Sequence, residues 1–313
     1  MIRHGHPGWP TWQWPSPDAP KTALEPESVI TKIAFLDLQD QAPGIERLRQ
    51  WALRAAAPRL GAVAVDVGCG TGTVLAELSR LVGPAGASVG VEPDPVLREL
   101  ALSRHAGVPL TILAGTADRL PVADDSVDVL YCERVLQHVP DVEAAVAEFA
   151  RVLRPGGIAV VIDTDYHTLR FSPLDEADER LVARRIVPEI APNPGIAAQL
   201  PRYLRQAGLT VDPEVGASAL TFVGAQVLEW PGTLAVIRRA GSTGAITETD
   251  AERIVTAVTA AAREGSAFLS AGMFAFLARK CTDPGAPELT VASRHPGRGS
   301  TAPTPPPPTG DSP

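Results

Sequence analysis

Residues 62–78 constrain this chain more than any other stretch. Ala62-Val63-Ala64-Val65-Asp66-Val67 is an apolar, valine-rich run of the kind that forms a strand buried on both faces. Gly68-Cys69-Gly70-Thr71-Gly72 follows at once, and Thr73-Val74-Leu75-Ala76-Glu77-Leu78 reads as a helix. Strand, glycine turn, helix is a building unit of doubly wound α/β sheets, and such a turn presents main-chain N–H groups to a nucleotide-like ligand. Without Cβ atoms the turn takes positive φ and lets a ligand lie against the backbone. Further strands are predicted at 87–91, 110–114, 127–132 and 158–162, with helical stretches between them. That alternation implies a parallel sheet with helices on both faces and a ligand beyond the carboxyl ends of its strands.

The spacing argues against two common uses of such a turn. A dinucleotide fingerprint wants glycine or alanine five places after its first glycine, where this chain has Thr73. A phosphate-binding Walker loop needs Gly-Lys-Ser/Thr, and no lysine lies between Lys32 and Lys280. Asp66, two positions before the first glycine, would repel phosphate and suits a ligand with a cationic end. The string Val65-Asp66-Val67-Gly68-Cys69-Gly70-Thr71-Gly72 resembles the first motif of class I S-adenosylmethionine-dependent methyltransferases. The resemblance implies that Asp66, Gly68, Cys69, Gly70 and Gly72 hold the methionine part of S-adenosyl-L-methionine.

Downstream stretches extend the resemblance. Glu92 ends the second strand, 24 residues after Gly68, where its carboxylate can accept from both ribose hydroxyls, and Pro93 beside it is a further cofactor-binding candidate. Gly115-Thr116-Ala117-Asp118-Arg119-Leu120-Pro121 is similar to the family's adenine loop, with Thr116 where aspartate is usual; Asp118 is an alternative acceptor for the adenine amino group. Cys132 and Glu133 close the fourth strand, and Glu133 and Arg134 either touch the cofactor's amino acid end or pair with each other. Glu133 to Asp141 and Arg151 to Gly157 resemble the subgroup that contains the ubiquinone and menaquinone biosynthesis C-methyltransferases. The resemblance covers about residues 60–165. It implies a Rossmann-like, mostly parallel seven-stranded sheet, strands six and seven forming an antiparallel hairpin at its edge.

Composition sets the outer limits. A chain of 313 residues with 45% apolar content can bury a sizeable core, in one domain or in a domain plus lid. A formal charge of −8 disfavours a nucleic-acid surface. No apolar run approaches the length of a membrane span, and no signal pattern opens the chain. Three cysteines without paired spacing fit a reduced cytoplasm and argue against a zinc cluster. The first 25 residues, rich in proline with Trp9, Trp12 and Trp14, and residues 283–313, with Pro305 to Pro308, are expected to be disordered; the tryptophans could alternatively dock on the body. Residues 26–282 then form the domain. Helices are predicted over 28–38 and 42–58, the first placing Phe35 and Leu38 either near the pocket or in ordinary packing. Helical lid segments are expected at about 167–208 and 217–265, with a sixth strand at 209–215 and a last at 272–278. Thr247-x-x-Asp250 opens a helix that Gly265 stops.

A methyl acceptor carrying a phenol would gain from a base. His138 follows the fourth strand and imidazole titrates near neutral pH, so it is either that base or a histidine steadying the loop before Pro140. Asp163 and Asp165, with Tyr166 and His167, are expected just past the fifth strand, as base, substrate ligands or turn caps. Trp230 either stacks on a planar substrate or packs. No cluster has a metal spacing. Three functions stay open: methyl transfer to oxygen, carbon or nitrogen of a small molecule (a quinone precursor or specialised metabolite), a non-methylating enzyme such as a cyclase that keeps the cofactor as scaffold, and a cofactor-binding regulatory protein. The fourth strand lacks the Asn/Asp-Pro-Pro-Tyr/Phe string of amino-base methylation. Oligomeric state is not legible.

Overall fold

The computed structural model describes residues 29–229 and 233–282; the two terminal segments and Trp230 lie outside the described residues. Val63–Val67 (β1), Ala87–Val91 (β2), Thr111–Leu113 (β3), Val127–Glu133 (β4) and Leu153–Ser172 (β5) run parallel. Phe268–Lys280 (β8) lies antiparallel to β5, and Leu209–Val211 (β6) and Gly216–Val223 (β7) lie antiparallel to β8. The order is β3-β2-β1-β4-β5-β8-β6, with β7 also on β8. β6 pairs with residues 278–280 and β7 with residues 268–275, so two short strands share one flank of a long one. Eight strands therefore fill seven positions. Strand order reverses between β1 and β4, which is where such sheets bind ligands.

Alternate strand residues feed two core layers, as the period of two requires. Ala64, Val129, Tyr131, Ile158 and Val160 face one layer; Val65, Val67, Leu130, Cys132, Ala159 and Val161 face the other. Each large aliphatic side chain so buried contributes about 1.5–3 kcal/mol relative to an exposed one. Thr73–Val82 (α3), Pro95–Arg104 (α4) and Val142–Val152 (α5) are the crossovers. Asp141 caps α5, its carboxylate accepting the Ala144 N–H at 2.9 Å. Val29–Asp40 (α1) and Pro43–Ala56 (α2) precede the sheet, and α2 buries Ile45, Leu48, Ala52, Leu53 and Ala56.

The second half departs from expectation. β5 does not end at residue 162 but continues through the polar stretch Thr164–Thr168 to Ser172, because a register shift between Asp165 and Arg170 keeps it paired with β8. Asp163 and Asp165 are thus inside the strand rather than beyond it. Residues 216–223, assigned to a lid, are β7: alternation in Ala219-Leu220-Thr221-Phe222 turns Leu220 and Phe222 into the core and leaves Thr221 exposed. Ile196–Gln206 (α8), also assigned to a lid, covers the sheet instead, with Ile196, Leu200 and Leu204 in the second layer. The segments over the strand ends are Glu176–Leu181 (α6), a π-helical turn at Val182–Ile186, and Val187–Ile190 (α7). Gln226–Glu229 (α9), Thr233–Ser242 (α10) and Glu248–Arg263 (α11) follow β7. Thr247 caps α11, accepting the Asp250 N–H at 3.0 Å.

Candidate active site

One cavity of about 750 Å³ opens at the carboxyl ends of the strands. Its floor is the turn after β1, where Gly68, Gly70 and Gly72 have φ of 70°, 53° and 83°. A Cβ on Gly68 would stand 2.5 Å from Val135 Cγ2, whereas one on Gly70 would meet nothing nearer than Leu36 Cδ1 at 3.7 Å. Gly70 is therefore the glycine that leaves room on the cavity side. The N–H groups of this turn are largely engaged, contrary to expectation. Those of Gly68 and Cys69 donate to Val91 O at 2.7 and 3.2 Å, that of Gly70 to Glu92 Oε2 at 3.0 Å, and that of Gly72 to Cys69 O at 2.8 Å. The glycines bend the main chain tightly against β2.

Of the residues singled out for the cofactor, Asp66, Gly68, Cys69, Gly70, Glu92, Pro93, Thr116, Ala117, Asp118 and Glu133 line the cavity. Gly72 and Cys132 do not. Gly72 faces His105, and Cys132 is fully buried in the second core layer. Glu92 is buried at the tip of β2, its second oxygen accepting the Asp94 N–H at 3.0 Å; burial raises its carboxyl above the usual range. Burial, then the charge of Glu133, pushes Asp66 well up, against the pull of Arg49.

Glu133 is saturated. Arg49 Nε and Nη2 donate to its two oxygens at 2.8 and 2.9 Å, Tyr131 Oη donates at 2.8 Å, and Arg134 Nε at 3.1 Å. Burial alone would raise Glu133, but Arg49 and Arg134 outweigh it and hold the carboxyl at about 2. Arg134, at φ 57°, also reaches Gln39.

α1 lies across the opening and supplies Lys32, Phe35, Leu36, Gln39 and Asp40 to its lining. Phe35 is there as one reading had it; Leu38 packs on the core instead. The helix is fastened by Lys32 to Asp94 at 3.3 Å, Arg104 to Asp37 at 2.5 and 2.8 Å, Thr73 Oγ1 to Asp40 at 2.6 Å and Arg49 to Asp40 at 2.6 Å. None of Lys32, Gln39, Asp40 or Arg49 was anticipated. Lys32 and Arg49 fall within the two predicted helices, whereas Gln39 and Asp40 lie just beyond the first, which runs on to Asp40.

The catalytic candidates fare differently. His138 lines the cavity, but burial, then the charges of Lys32 and Arg134, lower its pKa to about 4. Its Nε2 lies 2.9 Å from Gln137 Nε2, and the ring also hydrogen-bonds the main chain at Ile190. A neutral ring with its proton on Nδ1 satisfies both contacts. This corrects the expectation of an imidazole titrating near neutrality. Asp163 has no exposure; its Oδ2 accepts the Gln137 N–H at 3.2 Å and its Oδ1 the Thr164 N–H at 2.9 Å. It secures the 3₁₀ turn at Leu136–His138 from behind and does not line the cavity. Asp165 caps its own bend, accepting the His167 N–H at 3.0 Å, and is likewise off the cavity, as is exposed His167. Tyr166 does line it, with burial raising its phenol to about 12. Among the described residues no group of three or more His, Cys, Asp or Glu could hold a metal ion. No described helix is long and apolar enough to cross a membrane.

Residues 65–161 match the family model of a methyltransferase domain, the stretch that supplies the turn, Glu92, the 116–118 loop and His138. Over these residues the chain is similar to methyltransferase domains. An uncharacterised 37.1 kDa protein in a Streptomyces fradiae transposon is 34% identical over 185 residues, 59% of this chain and 54% of that one. A demethylmenaquinone methyltransferase of Staphylococcus aureus is 37% identical over 112 residues, 36% of this chain and 46% of that one. The chain thus spans about half the length of these relatives. The crystal structure of the [4+2]-cyclase SpnF has the same fold, with a TM-score of 0.51 at 20% identity, covering 76% of this chain and 82% of that one.

Proposed function

We propose that this protein transfers a methyl group from S-adenosyl-L-methionine to oxygen, carbon or nitrogen of a small-molecule acceptor, a quinone precursor or a specialised metabolite, in the cytoplasm. One observation carries the reading: a single cavity joins two buried carboxylates at the tips of β1 and β2 to an apolar end beneath the helices that follow β5. The fit to the cofactor is local. Gly70 leaves the floor open where a side chain would intrude, Glu92 keeps acceptor capacity for a ribose diol, and Asp66 suits an ammonium group. Thr116, Ala117 and Asp118 line the same end and would border the purine. When bound, the cofactor supplies an electrophilic methyl group.

The remaining work belongs to this chain. α1 covers the opening and excludes water, which strengthens each polar contact beneath it. The Asp163 carboxylate fixes the turn at residues 136–138, and Gln137 and His138 fix each other, so the wall between the two ends is rigid. Positioning of this kind supplies most of the rate in a displacement between aligned partners. His138 is held well below neutrality and its Nε2 is occupied by the Gln137 amide, so it is not available as the base.

Calorimetric titration with S-adenosylhomocysteine tests the cofactor assignment. Glu92→Ala is expected to weaken binding about 100-fold, the worth of two hydrogen bonds to a charged acceptor. Unchanged affinity would remove Glu92 from the site. Formation of S-adenosylhomocysteine over a panel of phenols, quinols and amines tests turnover; tight cofactor binding without product across the panel would favour a scaffold role.

A further inference from the structure

The cavity's two ends differ in kind. β2 and β8 are four positions apart in the sheet, about 19 Å at the usual strand spacing. Every charged lining residue, from Lys32 to Arg134, lies on α1, α2, the ends of β1, β2 and β4, or the loop after β3. From Val139 onward no lining residue carries a charge. The β5–β8 end is walled by Tyr166, Phe171 and Leu269 from the sheet and by Ile186, Val187 and Ile237 from the helices. The π-helical turn makes this wall: its wide five-residue register turns Val182 and Ile186 inward together with Val187, while Arg184 and Arg185 stay exposed. The mostly buried Arg239 pairs with Glu189 at 3.1 Å, tying α10 to α7, and neither residue is part of the lining.

Gln137 stands at the joint, on the turn between β4 and α5. It is 4% exposed and lines the cavity, and its amide nitrogen is engaged with His138. Its amide oxygen is buried without a hydrogen-bond partner. A buried carbonyl left unpaired is costly, and it favours any ligand that brings a donor.

Building on the methyltransferase reading, we infer that the acceptor is an uncharged molecule with an apolar ring or hydrocarbon body held in the β5–β8 end and one hydroxyl or N–H group donating to Gln137 Oε1. A carboxylate, phosphate or ammonium in that end would lose its hydration and meet no counter-ion. Gln137 is then the residue that chooses which end of the acceptor points toward the cofactor half of the cavity.

Three matched probes decide the matter by calorimetry with saturating S-adenosylhomocysteine. 2-Naphthol is neutral and donates, 2-methoxynaphthalene is neutral without a donor, and 6-hydroxy-2-naphthoate donates but is charged. 2-Naphthol should bind about tenfold more tightly than either of the others, about 1.4 kcal/mol. Gln137→Leu should erase the preference over 2-methoxynaphthalene and keep the preference over the naphthoate; both are ratios within one variant, so any general loosening from freeing His138 Nε2 cancels. Equal binding of the naphthoate, an undiminished 2-naphthol preference in Gln137→Leu, or no binding by any probe would overturn the inference. If S-adenosylhomocysteine itself fails to bind, the methyltransferase reading falls, and the same three titrations on the free protein still decide this one.

Discussion

Asp163→Asn separates the two roles open to a buried carboxyl beside a cavity. In the native protein Asp163 is sealed within β5, and burial raises its pKa to about 7 even though the Thr164 and Gln137 N–H groups favour the charged form. The unfolded chain returns it to the ordinary aspartate value of 3.8. Between those two values the native state holds one more proton than the unfolded state, so stability falls as pH rises through the window. Integrating the linkage between pH 5 and pH 8 gives a loss of about 2.5 kcal/mol, most of it complete by pH 7. An asparagine keeps an oxygen for one of the two N–H groups, turns its amide nitrogen toward the other at a cost that does not vary with pH, and does not titrate. Urea unfolding of both proteins at pH 5, 6, 7 and 8 cancels every other titration common to them. Native minus variant stability should drop by about 2.5 kcal/mol across the series and then level off. A difference constant with pH would refute the reasoning, because it would mean that Asp163 is ionised throughout and paid for by its two N–H donors.

The turn and its neighbours yield further tests. Gly68→Ala forces a left-handed residue and a 2.5 Å contact with Val135 Cγ2, and should cost about 2–4 kcal/mol in urea unfolding; Gly70→Ala has open space and should cost about 1 kcal/mol while weakening S-adenosylhomocysteine binding. Equal destabilisation by the two would show that contact with Val135 does not matter. Glu133→Gln leaves Arg49 with Asp40 alone in a buried setting and should cost about 3 kcal/mol, read as a lowered urea midpoint with unchanged slope. His138 stays neutral down to about pH 4, so a rate profile with any accepted substrate should show no His138 ionisation near neutrality. A limb between pH 6 and 7 that disappears in His138→Asn would restore it as the base.

The position of most of the lining at the β1–β2 end was legible in the sequence because its signals are local. Asp66 through Gly70 and Glu92 are each fixed by a strand tip and the turn that follows, and a strand tip in a parallel sheet has one place to be. Glu133 was legible in position but not in role. Whether a carboxylate at the end of β4 faces a ligand or a pair of arginines depends on Arg49, 84 residues earlier, and on Arg134. The same holds for His138. Its position follows from the fourth strand, but the lowered pKa comes from burial and from Lys32 on a helix that the sequence places only loosely.

The acceptor half was misread for a different physical reason. Polar residues 163–168 suggested a loop because strand prediction rests on apolar alternation, yet pairing with β8 holds them in the sheet, and Thr168 Oγ1 takes the Gly272 N–H at 2.7 Å across the irregular register. β7 was missed because small residues at 216–219 give little alternation until Leu220 and Phe222. Once β5 and β7 are lengthened, the length left for a lid shrinks to the helices of 176–190 and 226–263. α10 and the π-helical turn bring together Val182, Ile186, Val187, Val236 and Ile237, about fifty residues apart along the chain, with no motif to mark them. Their common property is that each is an apolar residue on a helix whose other face is charged, which is what any surface helix offers. Specificity for an apolar acceptor is therefore written in which helix faces meet, and only the long β8, by pairing with both β5 and β7, decides that they do.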